Sequence, residues 1–211
     1  MIRLLALLLA LAWALPAPAQ DRGGERILGL DIDIAIQADG SLEIIETVAV
    51  RAEGRGIRRG IVRDFPTRYR DRLGDRVVVD FEVLDVQRNG RPEPWFTEQI
   101  SNGVRVNTGS DAFLQVPAEH VFILRYRTTR QLGFFDDHDE LYFNAIGHGS
   151  RLRVERSSVT VRLPRPVPVA AMETDGFTGR TGARGKDFRA SLPAPGVAQW
   201  ELTAPLARNE G

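Results

Sequence analysis

The chain has 211 residues with 28 basic and 28 acidic side chains, so its formal net charge is zero. This balance argues against a protein that attracts nucleic acid or anionic lipid through its overall charge. Hydrophobic residues make up 43% of the chain, which is enough for the core of one ordinary domain. Cysteine is absent, so the chain has no thiol nucleophile and no cysteine metal site.

The first nineteen residues have the pattern of a secretory signal peptide. Arg3 supplies a positive start, an apolar run extends from Leu4 to Leu15, and small residues follow up to Ala19. The run is shorter than the ~20 residues that a membrane-spanning helix needs. We predict cleavage after Ala19 and an exported chain on the periplasmic or extracytoplasmic face of the cell membrane. An uncleaved N-terminal anchor is the alternative.

The first part of the exported chain predicts a β-hairpin. Apolar residues alternate strictly with other residues from Leu28 to Gln37, and they fall at even positions from Leu42 to Val50. A three-residue loop, Ala38-Asp39-Gly40, puts both apolar sets on one face and places glycine at the left-handed position. A two-residue loop would put the two sets on opposite faces, so we favour the three-residue loop.

This register places Glu46 on the apolar face, opposite Ile32. A carboxylate there needs either a partner or access to water. The nearest candidates are in residues 51–76, which hold nine arginines against four acids. The alternative is a solvated Glu46 at the margin of the sheet.

Further strands are predicted at residues 76–88, 120–129, 141–143 and 158–163, with a bulge near Val83. The strand at 120–129 starts with apolar residues on both faces and is predicted to be central. No segment after the signal peptide has a helical stripe. The predicted fold class is therefore all-β: an antiparallel β-sandwich, immunoglobulin-like in the broad sense. Residues 20–165 would form the sandwich domain, and the Pro/Gly-rich residues 166–211 would add strands that complete or flank it.

One acidic cluster resembles a metal site by composition. Its oxygen and imidazole groups could hold calcium or manganese, and the weak candidate ligands are Asp136, Asp137, His138 and Asp139. The cluster lacks the residue order of a calcium loop, and a single histidine makes a weak zinc site. A solvated acidic loop, or one that pairs with the arginines, is the favoured interpretation. We find no nucleophile elbow and no phosphate loop, so we assign no catalytic residue and no cofactor.

Charge complementarity suggests a network between the arginine-rich stretch and carboxylates elsewhere. Such a network could lock the fold, or it could present guanidinium groups to an anionic partner. Its predicted members are Glu46, Arg58, Arg59, Arg63, Asp64, Asp137, Asp139 and Glu140. The aromatic residues Trp95, Phe134, Phe135, Tyr142 and Phe143 are predicted to lie in the core or at its edge.

Several segments of the chain resemble the family of bacterial predicted membrane proteins known as domain of unknown function 2207. The segments that carry the resemblance are Asp39–Leu42, Glu46-Thr47, Ile57–Pro66, Tyr126-Arg127, Asp137–Asn144 and Val159–Pro164. The resemblance implies an exported β-sandwich that transmembrane helices tether in longer relatives. No activity is established for the family, so the resemblance assigns no catalytic residues to this chain. This chain has Phe143 where members usually have tryptophan, and it lacks a cysteine pair found in many of them.

The leading functional hypothesis is a non-catalytic envelope domain that binds an envelope protein or a cell-wall component. A metal-dependent hydrolase that uses the 136–140 cluster is the first alternative, and a structural spacer domain is the second. Nucleic acid is not an expected partner, because the chain is exported and its basic stretch has few aromatic residues for stacking.

Overall fold

The structure is a computed structural model that describes residues 24–70, 76–147 and 150–211. The predicted signal peptide, residues 1–19, lies outside the described residues. The described part contains no helix long and apolar enough to cross a membrane. It contains one short 3-10 helix, Val169–Ala171, and fifteen β-strands. The strands are β1 Arg26–Ile36, β2 Leu42–Ala52, β3 Val62–Pro66, β4 Arg68–Arg70, β5 Arg76–Val78, β6 Phe81–Arg88, β7 Arg91–Pro92, β8 Trp95–Ile100, β9 Gly103–Thr108, β10 Ala118–Thr128, β11 Leu132–Phe134, β12 Asp139–Leu141, β13 Ser157–Arg162, β14 Phe188–Ala194 and β15 Val197–Leu202.

Eight strands form one large sheet in the order β14-β15-β13-β1-β2-β10-β6-β7. Strands β1 and β13 are parallel, and the other pairs of this sheet are antiparallel. A smaller sheet has the order β3-β9-β8, and β4-β5 and β11-β12 are separate two-stranded pairs. The all-β prediction is confirmed, and the main sheet is largely antiparallel.

The β1–β2 hairpin has the predicted register. Ile36 lies opposite Leu42, and Ile32 lies opposite Glu46. The Gln37 N–H donates to the Ser41 carbonyl at 2.8 Å and closes the three-residue loop. Gly40 has a φ of 79°, the left-handed conformation that glycine adopts at low cost. The loop prediction is therefore confirmed.

The pairing of β6 and β10 also follows the predicted pattern. Arg125 pairs with Asp85, but the next residue, Tyr126, pairs with Val83, so Leu84 is the extra residue of a β-bulge. Strand β10 lies between β2 and β6, which confirms its central position.

The core lies on one face of the large sheet, where alternate side chains of β1, β2 and β10 are buried. Residues from the smaller sheet and its flanking loops, such as Val106 and Leu114, pack into the same core. Its largest fully buried side chains include Ile32, Ile34, Leu42, Ile44, Phe122, Leu124 and Tyr126. Glu46 is buried among them and has no exposed surface.

Most of the aromatic residues predicted to lie in the core or at its edge are exposed. Phe134 and Tyr142 are 73% and 68% exposed, and Trp95 and Phe135 are also exposed. Trp95 begins β8, an edge strand of the smaller sheet, and the others belong to the small β11–β12 hairpin or follow it. Side chains on edge strands and small hairpins have no neighbouring strand on at least one side. Phe143 packs against the core but lies beyond β12, which ends at Leu141.

Candidate functional site

The buried carboxylate of Glu46 is bound by Arg63. Strand β3 pairs with β9 so that Arg63 lies opposite Val106, a fully buried residue, and its side chain extends to β2. Arg63 donates from Nε to Oε2 of Glu46 at 2.7 Å and from Nη2 to Oε1 at 2.6 Å. The hydroxyl of Tyr126, on β10, donates to the same Oε1 at 2.9 Å. This Glu46–Arg63–Tyr126 group joins three strands of two sheets through one carboxylate.

Two further aromatic rings, those of Phe65 and Phe81, pack beside this group. Phe65 stacks on Phe81 with ring centroids 4.5 Å apart, and the ring of Tyr126 lies 4.6 Å from that of Phe65. The guanidinium carbon of Arg63 lies 5.3 Å from the centre of the Phe65 ring. These rings replace water around the charges, which strengthens each hydrogen bond within the group and makes an unpaired charge there costly.

Arg63 and Tyr126 keep their protons near neutral pH, because the pKa of each is raised. Burial opposes the charge on Arg63, but the attraction of Glu46 and the hydrogen bonds to it are stronger, so the pKa of Arg63 rises. Burial and the nearby carboxylate of Glu46 raise the pKa of Tyr126 well above its ordinary value. Arg63 and Tyr126 therefore remain protonated donors to Glu46 and are unsuited to transfer protons.

Arg58 and Arg59 do not join this group, which corrects the predicted network. Their guanidinium carbons lie 5.2 Å and 5.0 Å from the centre of the Phe113 ring, which is 63% exposed. The Nε of Arg59 donates to the backbone carbonyl of Asp111 at 3.1 Å. Neither arginine forms an ion pair with any residue that the structure describes. We call Arg58, Arg59 and Phe113 the arginine tip.

Two glycines bring the backbones of the arginine tip into direct contact. A Cβ atom on Gly60 would lie 1.9 Å from the carbonyl oxygen of Thr108, and one on Gly109 would lie 2.1 Å from that of Arg59. Gly109 also has a φ of 97°, which other residues rarely adopt. The Thr108 N–H donates to the Ile61 carbonyl at 3.0 Å beside this contact. The tip is therefore presented on two loops that fix each other.

A third element of this region, Glu25, was missed by the sequence reasoning. Its carboxylate accepts backbone N–H groups from Glu53, Arg55, Gly56 and Ile57 at 3.2, 2.8, 2.6 and 3.1 Å. Burial acts to raise the pKa of Glu25, but these four hydrogen bonds outweigh it, so the pKa is lowered. Glu25 thereby holds the loop that leads to the arginine tip. No sequence pattern indicated this, because the donors are backbone groups.

Two further acids of the predicted network, Asp64 and Asp137, pair with nearby residues. Asp64 binds Arg105 on the neighbouring strand at 2.7 and 2.9 Å. Asp137 accepts from Nδ1 of His138 at 2.8 Å, and Nε2 of His138 lies 3.8 Å from Glu140. The hydrogen bond to Asp137 raises the pKa of His138. The acidic loop thus contains its own cation, and contacts of this loop with Arg58, Arg59 or Arg63 are not among those that the structure describes.

The metal-site candidates do not converge. Asp137 has a side chain that is 86% exposed, and Asp139 lies on β12. Among residues 24–70, 76–147 and 150–211, no three histidine, aspartate or glutamate side chains are placed to hold a metal ion together. Asp136 and His138 therefore lack the set of converging ligands that a divalent cation requires.

The family to which this chain belongs is shown by a match to a family model. The model of the predicted membrane protein (DUF2207) N-terminal domain matches residues 26–198. The chain belongs to this family. The resemblance noted from the sequence is thus confirmed, and Glu46, Arg63 and Tyr126 each lie in one of the segments that carried it. The geometry shows that these separate segments of the DUF2207 domain meet at one buried carboxylate.

One curated relative of the DUF2207 domain is the uncharacterized protein YciQ of Escherichia coli (strain K12). It is 23% identical over 158 residues, which cover 75% of this chain and 25% of that protein. This chain therefore spans about a quarter of the length of this curated relative.

Solved structures with a similar chain path are peptidases and hydrolases. The native leukotriene A4 hydrolase of Saccharomyces cerevisiae has a TM-score of 0.50 at 11% identity, over 88% of this chain and 28% of that protein. An M1 zinc metallopeptidase of Deinococcus radiodurans has a TM-score of 0.46 at 15% identity, over 88% of this chain and 40% of that one. At such identities the yeast structure indicates a shared fold and nothing about activity.

Proposed function

We propose that this DUF2207 domain is a non-catalytic interaction module of a membrane-associated envelope protein, positioned on the extracytoplasmic face after export. The arginine tip is the observation that carries this proposal. It presents two guanidinium groups and an exposed phenyl ring on a fixed backbone, without an acidic partner among the described residues. Arginine and aromatic side chains in this arrangement are typical of binding surfaces.

The lack of a convergent reactive group supports a binding role over a catalytic one. The Glu46–Arg63–Tyr126 group is closed by its own hydrogen bonds and by aromatic rings, so its chemistry is structural. The metal-dependent hydrolase is disfavoured, since the 136–140 candidates do not form a ligand set within the described chain. A stoichiometric divalent metal in the purified exported chain would reverse this preference. If the domain were only a structural spacer, the arginine tip would have no function.

The finer features of the fold belong to the same proposal. The inner face of the large sheet and the smaller sheet share one core, which supports a β-sandwich with residues 20–165 and 166–211 in one unit. The domain resembles immunoglobulin domains only in that two sheets pack on one core. The large sheet has eight strands, whereas an immunoglobulin sheet has about three to five. The cleavable signal peptide at residues 1–19 completes the proposal.

Site-specific photocrosslinking in living cells tests the binding role. The full-length chain would carry p-benzoylphenylalanine in place of Phe113, and a matched chain would carry it in place of Phe134. Phe134 is also exposed but lies on the β11–β12 hairpin, away from the arginine tip. We expect ultraviolet-dependent adducts with another envelope component at position 113 and not at position 134. Adducts at neither position, or equally at both, would contradict the proposal.

A further inference from the structure

Seven exposed arginines gather at one end of the large sheet. The register explains why, because Val50, Ile27, Val154 and Leu206 form a row across four neighbouring segments. With ~4.8 Å between adjacent strands, this row spans about 15 Å. We call this region the basic end, and its arginines are Arg55, Arg58, Arg59, Arg151, Arg153, Arg156 and Arg208. None of them forms an ion pair with another residue in the described ranges.

Most acids near the basic end are already engaged. Glu25 binds backbone N–H groups, Glu53 pairs with Arg51 at 2.7 Å, and Glu155 pairs with Arg26 at 2.7 Å. The carboxylates of Glu25, Asp111, Glu119 and Glu210 offset part of the positive charge of the seven arginines. The basic end therefore keeps a local excess of positive charge, although the chain as a whole is neutral.

The opposite end of the sheet carries a cluster of acidic groups, although Arg127 and Arg165 also lie there. It carries the β1–β2 turn with Asp39. The acidic hairpin begins beside this turn, since Cδ1 of Leu132 lies 3.7 Å from the Cβ position of Gly40. That hairpin contains the acidic residues 136–140. The molecule is therefore electrostatically polarised along its strands, so an anionic surface would orient it with the basic end toward that surface.

The start of the described chain and the segment around Leu206 also lie at the basic end. Gly24 and Glu25 precede the start of β1, and Leu206 bonds to Val154 in the same row. The family model describes an N-terminal domain of predicted membrane proteins, so a membrane surface is a partner of suitable chemistry for these exposed arginines.

We infer that the basic end docks on an anionic phospholipid bilayer, with guanidinium groups on the lipid phosphates and Phe113 among the headgroups. This inference rests on the proposed function and names its partner. Arginine forms short, bidentate hydrogen bonds with phosphate, and basic residues near an anionic leaflet are each attracted to it. The arginines are spread over about 15 Å on several segments, which suits a planar array of phosphates better than a single compact ligand.

Co-sedimentation with vesicles tests this inference. The exported chain would be mixed with vesicles of phosphatidylcholine alone, or of phosphatidylcholine and phosphatidylglycerol in equal parts. Two double variants with the same loss of charge would be compared: Arg58→Gln/Arg59→Gln at the basic end, and Arg127→Gln/Arg165→Gln at the opposite end. All proteins would have the same N-terminus, determined by mass spectrometry, so any retained leader affects them equally. Unchanged thermal unfolding would show that the variants are folded.

We expect binding to the anionic vesicles, little binding to the neutral ones, and loss of binding at high salt because ions screen the attraction. The Arg58→Gln/Arg59→Gln variant should bind about tenfold more weakly or worse, whereas the control pair should stay within about twofold. A second variant, Arg153→Gln/Arg156→Gln, should also bind more weakly. No binding to anionic vesicles, or an equal loss in the control pair, would overturn the inference. Protein adducts at position 113 without vesicle binding would overturn it while leaving the interaction module intact.

Discussion

Arg63 and the pair Arg58-Arg59 lie within six residues of one another but have opposite environments. Arg63 is 19% exposed and is fixed by Glu46 inside the core, whereas Arg58 and Arg59 are exposed and lie over Phe113. Gly60 marks the change between them, because its backbone touches Thr108 where a side chain would not fit. The comparison shows that one arginine-rich stretch serves two purposes: one side chain holds the two sheets together, and two face outward.

The two environments differ in how much stability is lost when a charged side chain is removed. A buried ion pair adds little net stability, because its attraction is offset by the desolvation of both charges, but removing one partner strands the other. An exposed arginine remains solvated and can be replaced at little cost. Stability measurements on single variants should therefore separate the two classes clearly.

The largest effect is expected for Arg63→Met. This change leaves the Glu46 carboxylate buried without its cation and should lower the free energy of unfolding by about 3 to 5 kcal/mol. The matched change Arg59→Met should shift it by less than about 0.5 kcal/mol, because that side chain is exposed. Urea denaturation of both variants measures the difference. Similar values for the two would mean that the buried and exposed arginines are equivalent.

The double variant Glu46→Leu/Arg63→Met isolates the reason for this loss. Replacing both charges with apolar groups of similar size is often neutral or stabilising, so the double variant should be more stable than Arg63→Met alone. If it is no more stable, lost packing rather than an unpaired charge explains the result.

A smaller loss is expected for Tyr126→Phe. The variant keeps the ring that packs against Phe65 and removes only the hydroxyl that donates to Glu46. A hydrogen bond to a charged group is worth about 1.5 to 3 kcal/mol, so the free energy of unfolding should fall within that range. Thermal and urea unfolding would measure it. In the Glu46→Leu/Arg63→Met background the same change should cost less, because the carboxylate is gone.

Gly60→Ala tests the contact that divides the two environments. The added methyl group meets a backbone carbonyl, so the loops must separate, at a cost of about 1 to 3 kcal/mol. Gly147→Ala is the control, since a Cβ there has no neighbour within 4 Å among the residues that the structure describes. Calorimetric melting of both variants gives the comparison, and equal melting temperatures would show that the loops do not depend on this contact.

The smallest effect is a pH dependence carried by Glu25. Its pKa is lower in the folded chain than in the unfolded one, so the unfolded chain binds its proton first as the pH falls. The stabilisation from Glu25 is therefore present at neutral pH and is lost as the pH falls through the folded pKa. Melting temperatures of wild type and Glu25→Gln should differ at pH 7 and converge in acid below that pKa. A difference that does not change with pH would refute this role.

Local patterns were sufficient for the strands of the main sheet. Strict alternation predicted β1 and β2, the requirement for a shared apolar face selected the three-residue loop, and a phase shift located the bulge in β6. These inferences succeed because strand parity determines which face a side chain occupies. The same parity placed Glu46 on the buried face before its partner was known.

The exposed aromatic residues show where composition misled. Phe134 and Tyr142 are as apolar as core residues, but their short segments lie at the margins of the fold, where neighbours do not cover them. Likewise, Asp137 of the acidic loop pairs with the adjacent His138, at the shortest distance along the chain. Opposite charge alone does not predict which partners meet, because many pairings satisfy it equally.

The amino-acid pattern was enough to establish an all-β domain, its hairpin register and a carboxylate in need of a partner, since these depend on residues close together in the chain. Which arginine meets Glu46 was decided by packing, because two sheets had to bring residues 46, 63 and 126 to one point. The same packing gathered arginines from residues 55–59, 151–156 and 208 at one end of a neutral chain. Their proximity depends on strand order across the sheet, which no local pattern encodes.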